Sequence, residues 1–225
     1  MNYFIKTRTL VLLLISGNFF GAERIAIIKN VVGSVQIILG EQDNIHPAKI
    51  GTLIYSNDQI KTETDGYISI TFLDDISTIE IEPNSMLKIR GNKKEKGIFK
   101  EINLQAGTVK VTPAGEPKEI WIIKTAITSI NVGEYPFIIK SHERLGDQII
   151  PVEGQVVFKN LVSNRERKIG KNSEAHSTGS GAIRIQDWKG EDIQHDDTVA
   201  FTENEIVIYL MNEDGNKKAF IIKYR

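Results

Sequence analysis

The sequence predicts an all-β fold of two facing, twisted sheets, arranged as a sandwich or short solenoid and ending in a C-terminal β-hairpin. The first observation is a glycine-led phrase that occurs three times, as GSVQI at Gly33–Ile37, GTVKV at Gly107–Val111 and GQVVF at Gly154–Phe158. The second is the alternation of apolar and polar residues along most of the chain, with almost no helical periodicity. Repeats of this kind indicate strands that turn alternate side chains toward one shared interior.

The first 22 residues have the pattern of a secretory signal peptide. Lys6 and Arg8 form a positive n-region, an apolar stretch runs from Leu10 to Phe20, and small residues end at Ala22. We expect cleavage after Ala22, with an uncleaved short anchor as the alternative because Phe20 is bulky for a cleavage motif. The expected location is therefore the periplasm or the extracellular medium.

Charge and cysteine content exclude several classes of function. Without Lys6 and Arg8, the 28 basic residues fall to 26, against 29 acidic residues. This balance gives no electrostatic reason to expect binding to nucleic acid or to an anionic membrane. The chain has no cysteine, so disulfides and thiolate metal sites are excluded. Stability must come from packing, and we expect no cofactor.

Residues 23–181 are predicted to form the main β domain. Short phrases recur within it, Ile-Lys-Thr at Ile60–Thr62 and Ile123–Thr125 and Lys-Ile-Gly at Lys49–Gly51 and Lys168–Gly170. Such repetition is more typical of a binding or scaffolding module than of a catalyst.

Local turn signals divide this domain further. Pro83–Ser85 predicts a hairpin that sets Ile81 opposite Leu87 and Glu80 opposite Lys88. The basic stretch 92–97 predicts an exposed hairpin tip. Residues 164–181, rich in charge, serine and glycine, are expected to be mostly loop, with one short strand near Ile169.

Residues 182–225 are predicted to be a β extension packed on the same body. The Asp-Gly turn within 213–216 favours a hairpin between Glu205–Asn212 and Lys217–Arg225. This turn predicts that Tyr209 lies opposite Phe220. Residues 187–197 are the one segment whose pattern allows a helical turn.

The order of these motifs resembles the FecR-like domain family. The first block consists of Gly33-x-Val35, Ile50-Gly51 with Leu53, Asp58-x-Ile60-x-Thr62, a turn at Gly66, Ile70-x-Phe72-x-Asp74 and Ile79-x-Ile81-x-Pro83-x-Ser85-x-Leu87. The second block consists of Leu104-x-x-Gly107-x-Val109, Lys124-Thr125 and Val132-Gly133. The resemblance extends from Val31 to Ala175.

The resemblance implies an extracytoplasmic all-β domain. The regulators that give the family its name relay a signal from an outer-membrane receptor to a cytoplasmic sigma-factor system. Here only nine residues precede the apolar stretch, and the tail from Ile183 shows no βαβ pattern. We therefore expect a stand-alone exported FecR-domain protein, without the anti-sigma segment and the full membrane span.

Three groups of residues suggest chemistry without establishing it. Asp192, His195 and Asp196 could share a face of a helical turn and hold a divalent ion, but so few ligands on one segment rarely form a closed site, and a solvated acidic loop is favoured. The pair Asp74-Asp75 could serve as acid and base, but a turn role is favoured.

The Ser141-His142-Glu143 run lists hydrolase residue types, but neighbours on a strand point to opposite faces and cannot form a relay. His46 and His176 have no partner in the sequence. We therefore predict that the protein is not an enzyme.

The remaining prediction is a non-catalytic binding or scaffold module that contacts a protein partner in the cell envelope. Trp188 and Tyr135 are the candidate contact residues, because aromatic side chains often anchor interfaces. Two alternatives stay open: a periplasmic signalling relay related to the iron–siderophore regulators, and a binder of polysaccharide or another small ligand.

Overall fold

The computed structural model describes residues 23–40, 44–188, 201–202, 205–211 and 217–223. Every regular element within these residues is a β-strand, which confirms the all-β prediction. The strands are β1 (Arg24–Val32), β2 (Val35–Ile38), β3 (Ile45–Pro47), β4 (Leu53–Tyr55), β5 (Gln59–Thr62), β6 (Tyr67–Phe72), β7 (Thr78–Ile81), β8 (Met86–Lys93), β9 (Ile98–Thr112), β10 (Trp121–Lys124), β11 (Thr128–Asn131), β12 (Phe137–His142), β13 (Gly146–Pro151), β14 (Gln155–Asn160), β15 (Glu166–Gly170), β16 (Ser173–Ser177), β17 (Ile183–Asp187), β18 (Phe201–Thr202), β19 (Glu205–Met211) and β20 (Lys217–Lys223).

Seventeen of the described strands are joined in one continuous sheet, and sixteen of them form two halves that share β9, where the sheet folds. The first half has the order β4-β1-β6-β7-β9-β12-β13-β16. The second half has the order β3-β2-β5-β8-β9-β10-β11-β14-β15. Side chains from both halves enter one apolar core. The two predicted sheets are thus the two halves of one folded sheet.

The three glycine phrases open strand segments that face this core. The six apolar side chains that follow the glycines are at most 5% exposed: Val35, Ile37, Val109, Val111, Val156 and Phe158. All three glycines have a positive φ, from +52° to +102°. The prediction that these phrases turn aliphatic side chains toward a shared interior is confirmed.

Gly107 lies at the bend of β9. Residues 98–106 of this strand pair with β8 and β10, whereas its remaining residues pair with β7 and β12. The φ of Gly107 is +102°, which L side chains rarely adopt, and a Cβ placed there would lie 2.2 Å from Ser85 Oγ. Glycine is therefore required here both by the backbone and by the available space.

The Ile-Lys-Thr phrases place a buried hydroxyl at the end of a strand. Thr62 Oγ1 donates a hydrogen bond to the carbonyl oxygen of Glu82 at 2.7 Å. Thr125 Oγ1 donates to Asp147 Oδ2 at 2.5 Å. Both threonines are buried, and each hydroxyl ties its strand to a segment distant in sequence.

The predicted hairpin between β7 and β8 is wrong. β7 pairs with β6 and β9, whereas β8 pairs with β5 and β9 in the other half of the sheet. Residues 82–85 carry the chain between the halves, and Glu80 forms its ion pair with Lys110, at 3.0 Å, instead of with Lys88. Both strands turn their isoleucines into the same core, so the alternation of residues is satisfied by either arrangement.

The hairpin tip at residues 92–97 is confirmed, with the backbone N–H of Lys94 donating to the Gly97 carbonyl at 2.7 Å. The prediction that residues 164–181 are mostly loop is wrong, because β15 and β16 occupy much of this segment. The buried polar side chain of Ser177, at the end of β16, has hydrogen-bond partners. Ser177 Oγ accepts from Asn160 Nδ2 at 2.8 Å and from Thr128 Oγ1 at 3.0 Å.

The chain forms two compact units, one extending to Gln186 and one from Asp187 to Arg225. In the second unit β19 and β20 form the predicted C-terminal hairpin. Its register differs by one residue, since Tyr209 lies opposite Ala219 instead of Phe220. Whether this extension packs on the main body stays a prediction. None of the described residues belongs to a helix of the length and apolarity that crossing a membrane would require.

Candidate interaction surface

A buried lysine fixes the turn at residues 73–77, which we call the anchored turn. Lys100 Nζ lies 3.0 Å from Asp74 Oδ1 and also forms an ion pair with Asp75 Oδ2. The lysine is only 2% exposed, and its ammonium group lies 4.8 Å from the ring centre of Phe72 and 5.1 Å from that of Trp121. Burial of a charge is tolerated only with paired partners, so these groups depend on one another.

Backbone hydrogen bonds hold the same turn. Asp74 Oδ2 accepts from the backbone N–H of Ile98 at 2.7 Å, and Asp75 Oδ1 accepts from that of Ser77 at 3.0 Å. Ser77 Oγ in turn accepts from the backbone N–H of Ala114 at 3.0 Å. The structure therefore places both carboxylates in a turn, as the sequence indicated, and commits them to partners within the protein.

Ile76 lies at the apex of the anchored turn in an unfavourable conformation. Its φ is +59° and its side chain is 75% exposed. A β-branched residue in the left-handed region is a genuine outlier, because its Cβ approaches the following carbonyl oxygen. The turn thus presents an apolar side chain to solvent from a strained backbone.

Leu73 and Ile120 are also exposed apolar residues, at 46% and 62%. Leu73 belongs to the turn itself, and the carbonyl oxygen of Ile120 accepts from the backbone N–H of Lys100 at 3.0 Å. A Cβ at Gly97 would lie 2.9 Å from Asp74 Oδ2 and 3.6 Å from Glu119 Cγ. The anchored turn and the segment that contains Glu119 and Ile120 therefore both approach Gly97. We call Leu73, Ile76 and Ile120 the apolar tip.

An open depression of about 400 Å³ lies beside the apolar tip. The lining consists of Glu23, Arg24, Leu73, Asp74 and residues 93–98. The close contact between Gly97 and Asp74 brings the hairpin tip of β8 and β9 against the turn. The depression is open to solvent.

Tyr135 packs over a glycine of the repeated phrase. A Cβ at Gly154 would lie 2.3 Å from the Cγ atom of the Tyr135 ring, so the ring covers this glycine. Tyr135 also lines an open depression of about 370 Å³. A hydrogen bond with Glu134, together with the charge of that carboxylate, raises the pKa of the Tyr135 hydroxyl. Trp188 is partly buried, and a contact role for either aromatic residue stays a prediction.

The other sequence candidates are not brought together by the described structure. His142 Nδ1 accepts from the backbone N–H groups of Arg144 at 3.1 Å and Leu145 at 3.3 Å, which shapes the β12–β13 loop. His46 is exposed on the short strand β3. Asp192, His195 and Asp196 lie outside the described residues. Within the described part of the chain, no three side chains of metal-ligating type are grouped.

Glu174 is the centre of a hydrogen-bonded group on the outer face of the sheet. Burial by itself would raise the pKa of Glu174, but hydrogen bonds from Gln186, Gln148 and His176 outweigh it, and the pKa is lowered. The Gln186 bond measures 2.5 Å and the His176 bond 3.3 Å. The ionised carboxylate is therefore favoured by the folded state.

This group gives a pH-dependent prediction. Because the pKa of Glu174 is lower in the folded than in the unfolded chain, its contribution is present above about pH 4.5 and is lost as the pH falls through the folded value. We expect Glu174→Gln to reduce the free energy of unfolding by about 1–2 kcal/mol at neutral pH, and by less in acid. Urea titrations at several pH values measure this difference. Exposed Glu95→Gln is the control, and a Glu174→Gln effect independent of pH would contradict the prediction.

Comparison with known proteins agrees with the sequence motifs. Residues 58–157 match the family model described as FecR protein. Two crystal structures of a candidate anti-sigma factor from Parabacteroides distasonis are similar, at 14% and 15% identity with TM-scores of 0.49 and 0.48. The similarity covers 62% of this chain and 62–63% of those chains. No curated protein matches the sequence. The match over residues 58–157 agrees with the resemblance to the FecR-like family that the sequence motifs indicated.

Proposed function

We propose that this protein is a non-catalytic binding module of the cell envelope that docks onto a protein partner through the apolar tip. The observation that carries the proposal is the conformation of Ile76, exposed at a φ of +59°. The left-handed conformation costs an L-residue about 1–2 kcal/mol, which glycine would avoid and asparagine would reduce. Strain of this kind is typical of functional positions.

The anchoring of the turn supports a binding role. Lys100 and the hydrogen bonds to Ile98 and Ala114 hold the backbone that presents Ile76. Binding to an apolar side chain on a preformed turn costs less conformational entropy than binding to a loose loop that must first become ordered. Aliphatic side chains from both halves of the sheet fill the interior, so a partner would bind on the surface.

The carboxylates support a non-catalytic role. Asp74 and Asp75 are both paired with Lys100, and each also accepts a backbone hydrogen bond. A general acid or base must reach the proton of a substrate, but three of these four oxygens accept hydrogen bonds within the protein, and Asp74 Oδ1 is buried beside Lys100. Export through residues 1–22, and with it a periplasmic or secreted location, is part of the same proposal and follows from the signal-peptide pattern.

A second candidate function is a periplasmic signalling relay. It is favoured by the FecR match over residues 58–157, since the family resemblance implies relay from an outer-membrane receptor to a sigma-factor system. Both candidates require a protein partner, and they differ in the identity of that partner.

Substitution of Ile76 tests the proposed docking site. We expect Ile76→Asn to raise the free energy of unfolding by about 1 kcal/mol, because asparagine tolerates a positive φ. We also expect it to weaken capture of envelope proteins at least about tenfold, as for an anchor residue of an interface. Thermal unfolding and quantitative pull-down measure the two effects.

Ile50→Asn is the matched control, since Ile50 is 66% exposed on another loop. It should leave the captured proteins unchanged. Equal capture by the wild type and Ile76→Asn, or equal losses in the two variants, would refute the docking site.

A further inference from the structure

We infer that the partner presents an acidic peptide segment, with an apolar residue beside its carboxylates, to the depression next to the apolar tip. This inference rests on the proposed function and specifies the chemistry of the partner. The depression of about 400 Å³ adjoins Leu73, so a segment seated on the apolar tip would extend into it.

Four cations and three carboxylates line the depression, an excess of one positive charge. Four cations line it, and none forms an ion pair with another described residue: Arg24, Lys93, Lys94 and Lys96. Three carboxylates also line it, but two of them have partners within the protein. Asp74 is paired with Lys100, and Glu23 Oε2 accepts from the backbone N–H of Lys93 at 2.7 Å. The four cations without an ion-pair partner are therefore available to carboxylates of a bound segment.

The arrangement favours a peptide over an anionic membrane. Glu95 lies between Lys94 and Lys96 on the hairpin tip, and Glu119 lies close to Gly97. A flat anionic surface would meet these carboxylates together with the lysines and be repelled by them. A peptide can place its carboxylates at the cations alone and its apolar residue at the apolar tip.

Peptide selection tests this chemistry without knowledge of the partner. A random-peptide phage library is selected on the wild-type protein and depleted on Ile76→Asn. We expect the enriched peptides to carry Asp or Glu next to Leu, Ile or Phe, and their affinity to fall as salt increases. The double substitution Lys94→Glu/Lys96→Glu should raise the Kd of the synthesised peptide by about tenfold or more.

The control is Arg167→Glu/Lys168→Glu, the same charge change on exposed residues of β15, which should leave the Kd unchanged. Enrichment of neutral or basic peptides, no enrichment, or equal losses in both double variants would overturn the inference. So would wild-type binding to vesicles of phosphatidylglycerol and phosphatidylcholine that Lys94→Glu/Lys96→Glu abolishes.

The two proposals fail in different ways. If Ile76→Asn prevents capture of envelope proteins while Lys94→Glu/Lys96→Glu does not, the docking site stands and the acidic segment is wrong. If neither variant reduces capture, the docking site itself is wrong.

Discussion

Lys100→Met is expected to lower the free energy of unfolding by about 3–5 kcal/mol, because it leaves two buried carboxylates without their cation. The side chains of Asp74 and Asp75 are each only 12% exposed, so water replaces the lost ammonium group poorly. The substitution also removes the contacts of the ammonium group with Phe72 and Trp121. Chemical denaturation monitored by tryptophan fluorescence measures the change.

Two matched variants test the cause of this loss. The triple variant Lys100→Met/Asp74→Asn/Asp75→Asn should recover at least half of the stability, since a buried ion pair can often be replaced by uncharged groups at little cost. Lys61→Met breaks the exposed ion pair with Glu63 and should cost under about 1 kcal/mol. Similar losses in Lys100→Met and Lys61→Met would show that the anchored turn does not depend on a buried charge.

Gly107→Ala is expected to destabilise the protein by about 3 kcal/mol or more. About 1–2 kcal/mol comes from forcing an L-residue into an unfavourable region of φ. The rest comes from displacing Ser85, whose Cα would lie 2.4 Å from the new Cβ. Ser85 Oγ accepts from the backbone N–H of Thr108 at 2.9 Å, and this hydrogen bond would be lost as well.

Other glycines separate the backbone effect from the steric one. Gly115 has a φ of +128° with no atom within 4 Å of its Cβ position, so Gly115→Ala should show the backbone cost alone. Gly133 has open space and no positive φ, and Gly133→Ala should be nearly neutral. Thermal unfolding ranks the three variants. If Gly107→Ala is no worse than Gly115→Ala, the close packing of Ser85 on the bend is not important for stability.

Much of the core could be predicted because alternation alone decides which side chains point inward. Ile70, Phe72 and Ile79 are buried as their positions in the sequence indicated. The strand partners could not be predicted in the same way. A strand that alternates correctly fits either half of the sheet, so the sequence around residues 82–85 does not distinguish a hairpin from a crossing between halves.

The anchored turn was predictable only in part. The turn at Asp74-Asp75 follows from residue type, but the positive φ belongs to Ile76 and not to either aspartate. Both aspartate side chains are held by Lys100, which is distant in sequence. The available signal was the inward position of Lys100 between Ile98 and Ile102, where a buried lysine requires a carboxylate partner.

Site-specific photo-cross-linking in living cells tests whether Ile76 contacts a protein partner. A benzophenone amino acid is placed at position 76 or, as the control, at position 50. A discrete protein adduct that forms from position 76 and not from position 50 is the predicted result. Protein adducts from position 50 or from position 135, with none from position 76, would show that a partner binds elsewhere on the surface.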